Sequence, residues 1–240
     1  AEALQGQLPG VNVISQDGRP GATVNIRVRG GGSITQSNEP LYVVDGIQVS
    51  SIDDIPADNI KSIDVLKDAA STAIYGARGA NGVILITTKS GSKGKATVRY
   101  NMYYQAKEKP DNLDVMDAYD YVLWTWEYAT AYGSSYGDGV AKYFGLGSKY
   151  GNHLNDYKNM GVHNWMNDIL KSSHAWNHDL SVSGGSEHNT YYASVNYMND
   201  DGARLNTGFR RWSGNFKFTQ DLNSKLKLDL DLRYSETRFR

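Results

Sequence analysis

The sequence contains no cysteine. Disulfides and thiolate metal sites are therefore excluded, and the redox compartment stays undecided. No apolar run approaches the ~18 residues that a membrane helix requires; the longest, such as Val83–Ile86, have the length of a strand. Hydrophobic helices are thus excluded as a way across a membrane. A β-barrel is not, because its wall alternates apolar and polar residues and keeps an ordinary mean hydropathy. Neither sign of charge dominates, with 25 Lys plus Arg against 26 Asp plus Glu, so the basic stripe of a nucleic-acid binder is missing. Phe is scarce at 5, whereas Tyr reaches 17 and Gly 25. Tyr and Trp suit membrane interfaces and sugar-contacting surfaces, since one end of the ring is apolar and the other wet. The opening Ala1-Glu2-Ala3-Leu4 has neither the basic start nor the apolar core of a signal peptide. The chain stops inside a strand-like run ending Phe239-Arg240 and reads as a piece of something longer.

Two textures follow one another. Residues 1–92 carry short apolar runs broken by Gly, Pro and Asp: Val11–Ser15, Thr23–Arg29, Leu41–Val44, Ile60–Leu66 and Val83–Thr88. Asp68 is placed to cap a short helix over Ala69–Tyr75 that Gly76 ends. Short strands with small helices between them predict a compact α+β domain. Residues 89–95, Lys-Ser-Gly-Ser-Lys-Gly-Lys, read as a flexible, charged linker.

Beyond the linker, period-two strands predominate. In 97–105, Val98, Tyr100, Met102 and Tyr104 oppose Thr97, Arg99, Asn101 and Gln105. Residues 190–197 alternate likewise. In 226–235, Leu226, Leu228, Leu230, Leu232 and Tyr234 oppose Lys227, Asp229, Asp231, Arg233 and Ser235. Such a strand suits a wall between lipid and a watery lumen. One of them alone would equally suit a soluble sandwich, but several in series favour the barrel. Connection lengths agree. Short links at Gly184–Asn189 and Asp221–Lys225 alternate with longer ones at Asn199–Arg211 and about 107–175, as short periplasmic turns alternate with long external loops. Strand 97–105 would then run outward from the periplasmic side.

Signs of catalysis are weak. Gly76–Gly82 follows a helix and precedes a strand, the reverse of a phosphate loop, and reads as a tight turn. His174 and His178 would lie ~13 Å apart on a strand, too far to share an ion. No cysteine or His-Glu cluster supports a metal, no cofactor motif is present, and no nucleophile has a base beside it. In the long segment 107–175, Asp114 is placed to cap a helix over Val115–Ala131 with Val115, Tyr119, Val122, Trp126 and Ala129 in one stripe. Trp124, Tyr128, Tyr132 and Tyr136 lie close by. Such rings suit stacking on sugars or docking a partner; packing of the stripe onto a barrel mouth is the simpler account.

Several of these segments resemble a known family. Leu4-Gln5-Gly6, Pro9-Gly10-Val11, Ile26–Gly30 and Pro40–Gly46 resemble successive plug motifs of SusC/RagA-type TonB-dependent outer-membrane transporters. Ile63–Ala69, Ala73–Gly76 and Gly82–Ile84 are similar to the family's most distinctive stretch, and Leu180–Gly185 with Tyr191-Tyr192 to its early barrel strands. The resemblance implies a plug over 1–92 and, over 93–240, the first part of a transmembrane β-barrel, its long first extracellular loop at about 107–175. The complete family barrel has 22 strands, which at ~10 residues each needs more than ~220 residues of strand, so this chain is expected to be incomplete.

The implied function is not enzymatic. It is import of a large nutrient, an oligosaccharide or peptide, across the outer membrane, with a SusD-like surface lipoprotein as lid and the TonB-ExbB-ExbD complex as energy source. By the same likeness, Arg29, Ser33, Gln36, Asn38, Ser51 and Tyr75 would lie at the plug's outer surface towards substrate, and Arg27 and Arg78 would hold the plug to charges on the wall. The competing reading is a soluble carbohydrate-binding β-rich protein. The two differ in whether the Leu226–Leu232 face is exposed or buried.

Overall fold

A computed structural model describes residues 11–15, 18–22, 24–28, 39–67 and 73–240. It falls into two compact units: Ala1–Glu108 with Ser172–Arg240, and Lys109–Lys171 between them in sequence.

The first unit begins with an antiparallel pair, β1 (Asn12–Ser15) and β2 (Val24–Arg27). A four-stranded mixed sheet follows, made of β3 (Leu41–Val44), β4 (Ile47–Val49), β5 (Ile60–Leu66) and β6 (Val83–Thr88) in the order β4-β3-β6-β5. The β3–β4 hairpin turns on Asp45-Gly46, with φ of 49° and 87°. Positive φ at both central residues matches the twist of the flanking strands, and an Asp-Gly pair adopts it at low cost. β3 runs parallel to β6, Leu41 opposite Val83 and Val44 opposite Ile86. The β-branched residues of both strands meet Val13, Ile26, Val28 and Ile52 in one core, where Val44, Ile84 and Ile86 are at most 1% exposed. Burial, with the charges of Glu39 and Asp53, pushes the Tyr42 hydroxyl up to about 12, so it is neutral at any physiological pH. The expected cap Asp68 and residues 69–72 of the helix expected over Ala69–Tyr75 lie outside the described residues; Ala73–Gly79 forms 3-10 turns broken at Gly76, whose φ is 63°.

The expected linker is fastened at its start. The Lys89 N–H donates to the Asn59 carbonyl at 2.8 Å. A Cβ on Gly91 would lie 2.4 Å from the Tyr191 carbonyl oxygen. Gly91 is therefore there for close backbone passage as well as for looseness.

Five long strands then pair antiparallel in sequence order: β7 (Gly94–Lys107), β8 (Ser173–Gly185), β9 (Asn189–Asp201), β10 (Gly208–Asn223) and β11 (Leu226–Phe239). One face carries Asn177, Asp179, Ser194, Asn196, Ser213 and Asn215, all buried beneath the four-stranded domain. The other carries Val98, Leu180, Val195, Phe216, Leu226, Leu228, Leu230 and Leu232, all exposed. Polar inside and apolar outside is the arrangement of a membrane wall and the inverse of a soluble sandwich. Leu226, Leu228, Leu230 and Leu232 are 41–55% exposed, as the wall reading expects, and the buried face of β8–β10 is polar where a soluble sandwich would be apolar. Towards the Lys107 and Ser173 end, the outer face changes from aliphatic to aromatic. Tyr104, Trp176, His178, Tyr197 and Trp212 form a chain of ring contacts across β7 to β10. Such a belt marks a membrane interface.

The second unit contains α1 (Ala118–Tyr132), α2 (Ser134–Phe144) and a short α3 (Trp165–Ile169). The cap of α1 is Asp117, whose carboxylate accepts the Asp120 N–H at 2.8 Å, rather than Asp114. Val115 stays outside the helix and exposed. The rest of the expected stripe packs within the unit itself: Val122 and Trp126 meet Ala141, Leu146 and Tyr157. Trp124, Tyr128, Tyr132 and Tyr136 line up on the exposed side with adjacent centroids 5.3–6.4 Å apart.

Candidate functional site

Among the described residues, the polar wall face and the domain packed on it meet in three main places. The first is an ion-pair cluster. The Asp45 carboxylate accepts the Thr88 N–H at 2.9 Å and the Thr88 hydroxyl at 2.7 Å, which fixes it within the domain. Across the interface it takes Lys217 Nζ at 2.8 Å and Arg233 Nη2 on the same oxygen. Arg233 also bonds Asp231 at 2.7 Å, and Lys217 lies 3.7 Å from Asp231. Two carboxylates thus share two cations, and the Asp45 and Lys217 side chains are only 15% and 14% exposed. Burial pushes the Asp45 carboxyl up, but the Lys217 and Thr88 hydrogen bonds outweigh it and hold the group below the ordinary carboxylate range.

The second is an amide network. Asn59 Oδ1 accepts both the Tyr192 and the Ser194 hydroxyls at 2.9 Å. Asp58 accepts from Asn101 and Asn177, and Asn196 donates to Asn177 at 3.0 Å. Between this network and the ion-pair cluster lies a cavity of about 250 Å³ lined by Pro56, Asn59, Asn215 and Ser235. Ser213 Oγ, Asn215 Oδ1 and Ser235 Oγ have no protein partner here. Such a cavity is polar and roomy enough for ordered water.

The third is a chamber of about 690 Å³ on the side of the sheet where the long connections leave. Its floor is formed by residues 18–19, 21–22, 51 and 53–58, and its wall by Tyr103, Gln105, Lys107, Met198, Asp200, Phe209 and Arg211. Lys107 is paired with Asp200. Arg211 donates to the Asp53 carbonyl, tying wall to floor, while its Nε has no partner. Aromatic faces, amides and a guanidinium together suit a polar organic ligand that offers both rings or edges and hydrogen-bond acceptors.

Of the residues expected to face substrate, Ser51 lies in the chamber, exposed, with its hydroxyl bonded to Asp53 at 2.9 Å. Tyr75 is half-buried on the 3-10 turn and lines none of these three places. Arg29, Ser33, Gln36 and Asn38 lie outside the described residues. Arg27, at the end of β2, and Arg78 are both exposed. Among the described residues, the ion pairs from the four-stranded domain to the wall belong to Asp45. Sequence reasoning missed Asp45, Asn59, Arg211, Lys217 and Arg233. The period-two pattern of 226–235 already set Arg233 on the polar side, but Arg211 was expected in the connection Asn199–Arg211, no face was assigned to Lys217, and nothing local announced their partners. No group of three potential metal ligands occurs among the described residues.

A small α+β domain bonded to the polar face of an antiparallel wall defines a plugged β-barrel of the TonB-dependent receptor class, and the "TonB-dependent Receptor Plug Domain" family matches residues 1–83. The chain is 37% identical over 98% of its length to TonB-dependent receptor P26 of Formosa agariphila, and 30% identical over 97% to TonB-dependent receptor SusC of Bacteroides thetaiotaomicron. It covers 23% and 22% of those relatives' own lengths. The RagAB peptide importer in its open-open state superimposes with a TM-score of 0.78 at 30% identity, over all of this chain and 28% of that one. The chain belongs to the SusC/RagA type of TonB-dependent receptors.

Proposed function

We propose that this chain is the plug and early wall of an outer-membrane importer, and that its 690 Å³ chamber is part of the substrate's path. The chamber carries the reading: it lies between plug and wall, on the side where strands β7 and β8 are joined by the long connection. Under this reading that side faces the cell exterior, 109–171 is the first extracellular loop, and 1–92 is the plug. A SusD-like lipoprotein would close the mouth, and the TonB-ExbB-ExbD complex would supply the energy that the outer membrane lacks. The substrate is a large nutrient, an oligosaccharide or a peptide. Ser51, with Arg29, Ser33, Gln36, Asn38 and Tyr75, would present the plug's outer surface to it, while Arg27 and Arg78 would meet charges elsewhere on the wall.

The test uses the full-length receptor with its lipoprotein. Tyr103→Ala should weaken substrate binding about twofold to twelvefold, the range expected for one ring contact of ~0.5–1.5 kcal/mol. Uptake should fall in parallel while surface expression holds. Tyr143→Ala, which removes an exposed ring from α2 outside the chamber, should leave binding unchanged. Equal binding by parent and Tyr103→Ala would remove the chamber from the substrate's path.

A further inference from the structure

Two arginines face each other on the outside of the wall. In the β10–β11 ladder Arg210 is directly opposite Arg238, and both are exposed. Both share a face with Trp212, Phe216, Leu228 and Leu232, the face that bears the apolar band. Arg210 stands two residues beyond Trp212 of the aromatic belt, and Arg238 four beyond Tyr234. Like charges directly opposite each other on a sheet repel.

Their neighbours neutralise only part of this charge. Arg210 Nε donates to the Asn199 amide oxygen at 2.7 Å, a neutral partner. Among the described residues no carboxylate lies within 4.0 Å of its guanidinium. Arg238 donates from Nε and Nη2 to one oxygen of Glu236, at 2.9 and 2.6 Å. The other outward acid at this end, Asp201, is paired with His174 at 3.2 Å. Arg204, in the turn between β9 and β10, is exposed as well. The pair is therefore left with one uncompensated charge and several free N–H donors. It sits just past an aromatic belt, at the depth where a bilayer places its headgroups. Guanidinium forks bind phosphate bidentately, and a shared phosphate would turn the repulsion into two attractions. The position is on the outer face of adjoining strands, so further wall strands added at either edge would not cover it.

We infer that Arg210 and Arg238 form a clamp for the phosphate of an outer-leaflet glycolipid, lipid A. The choice of leaflet rests on the orientation proposed above; the phosphate chemistry does not. The probe is lipid A with its phosphate, compared with dephosphorylated lipid A and with phosphatidylglycerol, each titrated onto the delipidated full-length receptor and read by native mass spectrometry. The parent should retain phosphorylated lipid A at least about tenfold better than either comparison lipid, roughly 1.4 kcal/mol. Arg210→Gln/Arg238→Gln should abolish that preference while the barrel keeps its heat-modifiable migration. Glu236→Gln, which frees Arg238, should hold or strengthen it.

Retention of phosphorylated lipid A by the double variant at the parent's level would overturn the clamp, as would equal binding of the dephosphorylated lipid. Parent binding of phosphatidylglycerol as tight as lipid A would overturn the assignment to the outer leaflet. A cysteine placed by Arg204→Cys reports orientation separately. Labelling on intact cells by an impermeant maleimide supports an outward-facing clamp. Labelling only after lysis would refute the orientation and with it the lipid A source.

Discussion

Replacing Asp45 with asparagine should loosen the plug in its seat. The substitution keeps a side chain that tolerates the positive φ of 49° and can still accept a bond from Thr88. It removes the charge that holds Lys217 and Arg233. Breaking a buried ion pair from one side costs ~3–5 kcal/mol, and here the low end applies because Asp231 still faces both cations. Amide exchange on the full-length receptor provides the measurement. Amides of β3 and β6 should exchange faster in Asp45→Asn, and faster still in Asp45→Ala, which also strains the turn. Unchanged exchange in both variants would show that the cluster does not hold the plug. Acid should act in the same direction. Because the native Asp45 carboxyl is held below its usual range, its contribution is complete above the unfolded value of ~3.9 and is lost as pH falls through the lower native value. Loosening from this source is thus expected only in acid below about pH 4, and a plug that released near pH 6 would need a different titrating group.

The sheet was legible residue by residue because each strand sets polar side chains on one face, buried in β8, β9 and the first half of β10, and apolar ones on the other. That difference imposes a period of two along β7, β9 and β11, and a slip of one residue would exchange the faces. The β3, β5 and β6 strands were equally plain, as short runs of Leu, Ile and Val between turn residues. The hairpin at Asp45-Gly46 carries a standard signal but closes on a strand of only three residues, Ile47–Val49, too short for periodicity to mark. The α1 cap was misread by one turn because Asp114 and Asp117 both precede apolar residues. What separates them is the cap bond, which Asp117 makes to the Asp120 N–H, and the exposure of Val115 and Met116, which leaves a longer helix no apolar contact to gain. The plug-to-wall contacts were out of reach for a different reason. Asp45 meets Lys217 and Arg233 across 172 and 188 residues, and Asn59 meets Tyr192 across 133. Nothing local in a sequence selects one lumen-facing cation over another. Likeness to a family drew attention to Arg27 and Arg78, whereas the geometry draws it to a carboxylate in the Pro40–Gly46 motif.

The outer face of the wall carries the second large effect. Leu228→Arg, on the apolar face of β11, should block membrane assembly of the full-length receptor, at a cost of ~2–4 kcal/mol if the position lies near the midplane. Leu228 is 48% exposed, so its replacement removes little protein packing. Any large penalty must come from transferring a charge into lipid. Asp229, the next residue, points to the lumen and accepts a hydrogen bond from Thr219 at 2.7 Å. Asp229→Asn keeps an acceptor there and should be mild, within ~0.5 kcal/mol, as expected of a substitution away from the packed interface. The pair of variants separates the two faces at adjacent residues, in one strand and at nearly one depth. Assembly is read by heat-modifiable migration and by the yield of receptor in outer-membrane fractions. If Leu228→Arg assembles as well as Asp229→Asn, the apolar face does not meet lipid. The alternation along β11 would then need a protein partner covering Leu226–Leu232.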